Sequence, residues 1–120
     1  MEASSRPTAL VVDDDPALRM LIRVNLELEG FDVIESATVE DAESAAAATR
    51  PDVVMLDVHL GTQQTLGLLG RLRAGGIAVA VVTGSADPAE YADAADAVLA
   101  KPFAPQELIA VARRLARVGQ

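Results

Sequence analysis

The chain has 120 residues, 51% of them hydrophobic and 23% charged, which suits one folded domain with a real core rather than a disordered segment. It contains no cysteine, so disulfides, thiolate metal sites and cysteine nucleophiles are excluded. Acids outnumber bases by 18 to 10, and the net charge of −8 opposes nucleic-acid phosphates, so direct DNA binding is not expected.

The opening MEASSRPT lacks the basic and apolar regions of a secretory signal, and no apolar run approaches the roughly 18 residues of a membrane span. The expectation is a cytoplasmic location with no membrane partner, residues 1–7 forming a flexible tail and residues 8–120 one domain. Ala9 to Val12 is the first apolar run and predicts a strand that ends at Asp13-Asp14-Asp15-Pro16. Apolar residues at Ala17, Leu18, Leu21, Ile22, Val24, Leu26 and Leu28 then follow helical spacing over 16–29, with Pro16 in a first-turn position. Asp15 reads as the N-cap or first-turn acid of that helix. Gly30 stops it, and 31–34 is a second apolar run.

Thr38 followed by Asp41 has the form of a capped helix start, and the alanine-rich helix it opens ends before Arg50-Pro51. Val53 to Leu56 is a third strand running into Asp57. A helix over 65–74 stops at Gly75-Gly76, and the β-branched run 77–82 is a fourth strand running into Thr83. Residues 88–95 can hold a short helix, 97–100 a fifth strand ending at Lys101, and 105–118 a last helix. That helix offers Arg113, Arg114 and Arg117 to solvent or, alternatively, to a homodimer or partner contact. Lys101-Pro102 restricts Lys101 to extended backbone, and the bond is open to cis, although trans is the general expectation for X-Pro.

Short, continuously apolar strands alternating with helices predict an α/β fold: a parallel sheet buried on both faces by helices. Asp13-Asp14, Asp57, Thr83 and Lys101 all fall at carboxyl ends of these strands, hence on one edge of the sheet, where open α/β sheets bind ligands. Lys101 is the single lysine beside nine arginines. Carboxylates brought together raise one another's pKa unless a cation neutralises them, and Mg²⁺ characteristically takes one or two carboxylates plus water and phosphate oxygens. A hydroxyl and an ammonium beside them complete a phosphoryl-binding set in which an aspartate can be the covalent acceptor.

The segments Leu10-Val-Val-Asp-Asp-Asp-Pro16, Val53-Val-Met-Leu-Asp57, Ala80-Val-Val-Thr83-Gly84 and Lys101-Pro102-Phe103, in this order, resemble the receiver domains of two-component response regulators (the CheY-like superfamily) over about 8–118. The resemblance implies a flavodoxin-like (βα)5 three-layer sandwich with a doubly wound five-stranded sheet of order 2-1-3-4-5. It implies Asp57 as phosphoacceptor, Asp13, Asp14 and Asp57 with the His59 backbone carbonyl as Mg²⁺ ligands, Thr83 as switch hydroxyl and Lys101 as phosphate-pairing lysine. The phosphoryl source would be a sensor histidine kinase or histidine phosphotransfer protein, with Arg19, Arg23 and the apolar first helix as docking candidates. Phosphorylation would switch binding of a downstream protein, a signalling role rather than a turnover enzyme. Departures mark the loop after Asp57, where Gly61 and Thr65 replace the family's proline and glycine, so a differently shaped loop is expected. Val98 replaces an aromatic, and the stretch from Thr83 to Lys101 is about one helical turn shorter than usual. These last two features suggest the alternative of a receiver that binds partners without phosphorylation. A phosphoaspartyl hydrolase is the other alternative, though His59 stands where its aspartate pattern needs a second acid. The His59 side chain itself reads either as an ordinary surface histidine or as a group facing the phosphoryl site.

Overall fold

The computed structural model describes residues 6–84 and 88–118. In chain order its first elements are β1 (Thr8–Val12), α1 (Pro16–Leu28), β2 (Asp32–Ser36), α2 (Val39–Thr49) and β3 (Val53–Asp57). There follow β4 (His59–Leu60), β5 (Gln63–Gln64), α3 (Leu66–Ala74), β6 (Ala78–Thr83), a 3-10 helix (Pro88–Tyr91), β7 (Ala97–Ala100) and α4 (Pro105–Val118). β2, β1, β3, β6 and β7 form, in that order, one five-stranded parallel sheet, which is the expected flavodoxin-like arrangement. Among the described residues no helix is long and apolar enough to cross a membrane.

The three-layer build follows from the alternation of side chains along strands that are buried on both faces. Leu10, Val12, Val54, Leu56, Val79 and Val81 pack toward α2 and α3, against Ala42, Ala46, Leu68, Leu69 and Leu72. Ala9, Val11, Val53, Met55, Ala80 and Val82 pack toward α1 and α4, against Ile22, Leu26, Leu108, Ala112 and Leu115. All of β3 is buried, so its carboxyl end is held from both sides.

Local chemistry sets the helix starts. The Asp15 carboxylate accepts the Ala17 and Leu18 N–H groups at 3.0 and 3.4 Å, and the Thr38 hydroxyl accepts the Asp41 N–H at 3.1 Å. Both caps agree with the sequence reading. Of the expected tail over 1–7, residues 1–5 lie outside the described residues. Pro7 accepts the Asp32 N–H at 2.9 Å, and Arg6 donates to the Phe31 carbonyl at 3.1 Å.

Three features differ from expectation. Residues 88–95 form only a single 3-10 turn, Pro88–Tyr91, so among the described residues four α-helices rather than five accompany the sheet. In that stretch Ala95 is buried and Tyr91 partly buried among the core residues, too little apolar surface to hold a helix whose nucleation is costly. The Lys101–Pro102 bond is cis, the less common of the two isomers the sequence left open. The loop after β3 contains an antiparallel hairpin, β4 with β5, that the sequence reading did not anticipate.

Candidate functional site

The site is built from the carboxyl ends of β1, β3, β6 and β7. Asp13 continues β1, its N–H donating to the Ser36 carbonyl at 3.1 Å, and its side chain is buried at 2% exposure. One Asp13 oxygen accepts the Asp15 N–H at 2.9 Å. Asp57 ends β3 at 8% exposure, and one of its oxygens accepts the His59 N–H at 3.2 Å. Asp14 is exposed, and one oxygen accepts the Gly61 N–H at 2.8 Å. Carboxylate oxygens of Asp13, Asp14 and Asp57 all lie within 4.8 Å of one another.

Lys101 answers that concentration of negative charge. Its Nζ stands 3.3 Å from Asp57 Oδ2 and 3.7 Å from Asp13 Oδ2. Its backbone N–H donates to the Thr83 carbonyl at 2.8 Å, which places the lysine beside the end of β6. Thr83 is buried at 2% exposure. Burial pushes the Asp13 carboxyl above its ordinary value. The Asp15 N–H opposes this, the Asp57 charge adds to it, Lys101 opposes it and Asp14 adds a smaller push. One lysine is thus shared by two carboxylates while a third stands close by. An all-oxygen set with excess negative charge, partly open to water, suits a hard divalent cation such as Mg²⁺. A cavity of about 490 Å³ opens over Asp57, lined also by His59, Thr83, Gly84, Glu90, Tyr91 and Lys101. A Cβ at Gly84 would meet nothing within 4 Å, so the approach there is clear.

The family model described as the response regulator receiver domain matches residues 9–113. The chain belongs to that family. This receiver domain is 38% identical over 113 residues to the transcriptional regulatory protein KdpE of Mycobacterium tuberculosis, covering 90% of the chain and 50% of that protein. It is 34% identical to the DNA-binding response regulator MtrA of Mycolicibacterium smegmatis, covering 90% of the chain and 50% of that protein. The chain therefore spans about half the length of the curated relatives it matches. The receiver domain of Francisella response regulator 1452 superposes with a TM-score of 0.84 at 26% identity, covering 95% of this chain and 99% of that one. A CheY-like receiver domain protein from Methanospirillum hungatei gives 0.86 at 26% identity, covering 96% and 97%. Receiver domains of this family are signalling modules of two-component response regulators.

Every site residue named from the receiver domain's sequence thus lies at this one edge. Arg19 pairs with Glu35 at 2.9 Å and donates to the Asp13 carbonyl at 2.8 Å, and Arg23 lies 3.2 Å from Glu35. These contacts tie α1 to β2 and to the end of β1. Arg113 pairs with Glu29 and Arg114 is exposed, while the side chain of Arg117 lies outside the described residues. The sequence reading gave His59 a site role but did not foresee the hairpin that carries it. Gly61 at φ +60° and Thr62 separate β4 from β5, and a two-residue loop led by glycine was the available signal for it.

Proposed function

We propose that this receiver domain takes a phosphoryl group onto Asp57, from a phosphohistidine on a sensor histidine kinase or phosphotransfer protein, in the cytoplasm. The phosphorylated state then changes its affinity for a downstream protein. The observation that carries this reading is the Asp57 carboxylate at a buried strand end, 3.3 Å from Lys101 and open to the cavity on one side. Asp13, Asp14, Asp57 and the His59 carbonyl would hold Mg²⁺, which supplies charge neutralisation for the carboxylates and the phosphoryl oxygens.

An Asp57 oxygen attacks phosphorus as the bond from phosphorus to the donor imidazole nitrogen breaks. That nitrogen keeps the electron pair, and the ring leaves neutral when its other nitrogen carries a proton. The product is an acyl phosphate on Asp57. Lys101 pairs with phosphoryl oxygens, and the Thr83 hydroxyl donates to one of them. Reversal to the resting state is hydrolysis: a water oxygen attacks phosphorus, the bond to the carboxylate oxygen breaks, and inorganic phosphate leaves. Because Asp57 is consumed and regenerated on the protein itself, the chemistry stores a signal.

Incubation with Mg²⁺ and acetyl phosphate, read by intact mass, tests the proposal. Wild type is expected to gain one phosphoryl group only when Mg²⁺ is present, and Asp57→Asn none. A wild-type protein that never acquires the adduct would leave phosphorylation-independent binding as the better reading. Steady release of phosphate from small phosphoesters would favour the hydrolase.

A further inference from the structure

β3 ends at Asp57, and its pairing with β6 closes with the Val58 N–H on the Val82 carbonyl at 3.4 Å. The carbonyls of Asp57 and Val58 therefore need donors from beyond the sheet. Thr65, buried at 1% exposure, supplies them. Its hydroxyl lies 2.7 Å from the Asp57 carbonyl and 2.9 Å from that of Val58, sharing one hydrogen between them, and its N–H donates to Val58 at 3.1 Å.

The direction of that hydroxyl is informative. Thr65 occupies the N-cap position of α3, where a threonine oxygen ordinarily accepts an N–H of the first helical turn, yet it makes no side-chain cap bond. The side chain is turned away from its own helix and back onto the backbone of the candidate phosphoacceptor. The segment between them is the β4–β5 hairpin, pinned at its other end by the Gly61 N–H on Asp14 Oδ2 at 2.8 Å. One short hairpin is thus fastened at its base to Asp57 and at its tip to Asp14.

We propose that Thr65 is a positioning residue for Asp57, an inference that rests on Asp57 being the phosphoacceptor. The hydroxyl fixes the peptide that follows Asp57. That peptide carries the chain to the His59 N–H, which holds one Asp57 oxygen at 3.2 Å and leaves the other facing Lys101 at 3.3 Å. Replacing the hydroxyl by a methyl puts carbon against two carbonyl oxygens at hydrogen-bond distance and strips both of a donor. The hairpin base then shifts, and Asp57 no longer meets an incoming phosphorus in its aligned geometry.

The test compares wild type, Thr65→Val, Thr65→Ser and Asp57→Asn in Mg²⁺ and acetyl phosphate, at a temperature where circular dichroism shows each folded. Thr65→Val is expected to form the adduct about tenfold more slowly, less than the roughly 100-fold that a full 1 Å misplacement can cost, while Thr65→Ser restores it to near wild type. Faster amide hydrogen exchange at His59 and Leu60 in Thr65→Val, measured without Mg²⁺ or phosphodonor, is the second expected result. If the valine variant does not fold, Thr65→Ala replaces it in both measurements. A folded valine or alanine variant with the wild-type adduct rate overturns the proposal, as does a serine variant as slow as valine. If wild type itself gives no Asp57-dependent adduct, the phosphoacceptor reading fails instead. The hydroxyl's hold on the hairpin is then judged by the exchange data, and unchanged protection refutes it.

Discussion

Two connections leave neighbouring strands at the same edge and both line the cavity: 58–65 after β3 and 84–96 after β6. The first is fastened at the site, by Thr65 on the Asp57 and Val58 carbonyls and by Gly61 on Asp14. The second, over its described residues, is fastened at its far end. Asp96 exchanges a pair of bonds with Val79, its N–H to the carbonyl at 2.9 Å and its carboxylate from the N–H at 2.8 Å. Arg73 reaches the Ala94 carbonyl at 2.7 Å and Asp96 at 3.3 Å, and Ala95 is buried beside them. Among its described residues, Gly84 and, from the 3-10 turn, Glu90 and Tyr91 line the cavity. The difference separates two uses of hydrogen bonding. The Thr65 and Gly61 bonds reach Asp57, Val58 and Asp14 at the site, while those of Asp96 and Arg73 close the sheet.

That separation can be broken by substitution. Asp96→Ala removes an acceptor from the buried Val79 N–H and the partner of Arg73, at a cost of about 1–3 kcal/mol in unfolding free energy, measured by urea titration. The rate of the Asp57 adduct is expected to stay near wild type. A rate that falls along with stability would show that the second connection orients the site as well. Gly61→Ala should cost less, about 1–2 kcal/mol, because Gly61 adopts φ +60° and a Cβ disfavours that conformation. Its Cβ would lie 3.9 Å from Asp14 Oδ2, an ordinary contact, so the penalty is in the backbone. Relief of that strain moves the Gly61 N–H off Asp14, and Mg²⁺ affinity by calorimetry is expected to drop together with stability. Unchanged Mg²⁺ affinity would detach the hairpin tip from the site.

The sheet and its edge were legible in the sequence because they depend on periodicity. Uninterrupted apolar runs bury themselves as strands covered on both faces, and four of the five runs stop at a polar residue: Asp13, Asp57, Thr83 or Lys101. The caps of α1 and α2 were legible for a similar reason, since Asp15 and Thr38 act within three residues of themselves. What was hidden depends on partners distant in sequence. The hydroxyl of Thr65 serves residues seven and eight positions back, and nothing local distinguishes it from a cap. Nothing near Arg19 in the sequence shows the Glu35 that β2 brings beside it. The helix expected over 88–95 failed because Ala89, Ala92 and Ala94 stay exposed, leaving only Tyr91 and Ala95 to pack on the core.

The smallest expected effect concerns Asp13, which is more buried than Asp57 and shares the same lysine. Burial is the leading cause of its raised pKa, so the folded chain binds a proton there at pH values where the unfolded chain has released it. The stability this group contributes is complete below the ordinary carboxylate value and is lost as pH rises through the raised one. Without Mg²⁺, ionising Asp13 is therefore a cost to folding relative to its protonated form. Asn in its place keeps an oxygen for the Asp15 N–H while removing the charge. Asp13→Asn without Mg²⁺ is expected to melt slightly above wild type at neutral pH, with the gain shrinking as acid titrates the wild-type carboxyl. Saturating Mg²⁺ should raise the wild-type melting temperature and move the variant much less, because the cation takes the place of the missing proton. A variant that melts below wild type at neutral pH would mean that the Lys101 contact at 3.7 Å outweighs desolvation, and that Asp13 is held as a stable ion pair rather than kept poised for a cation.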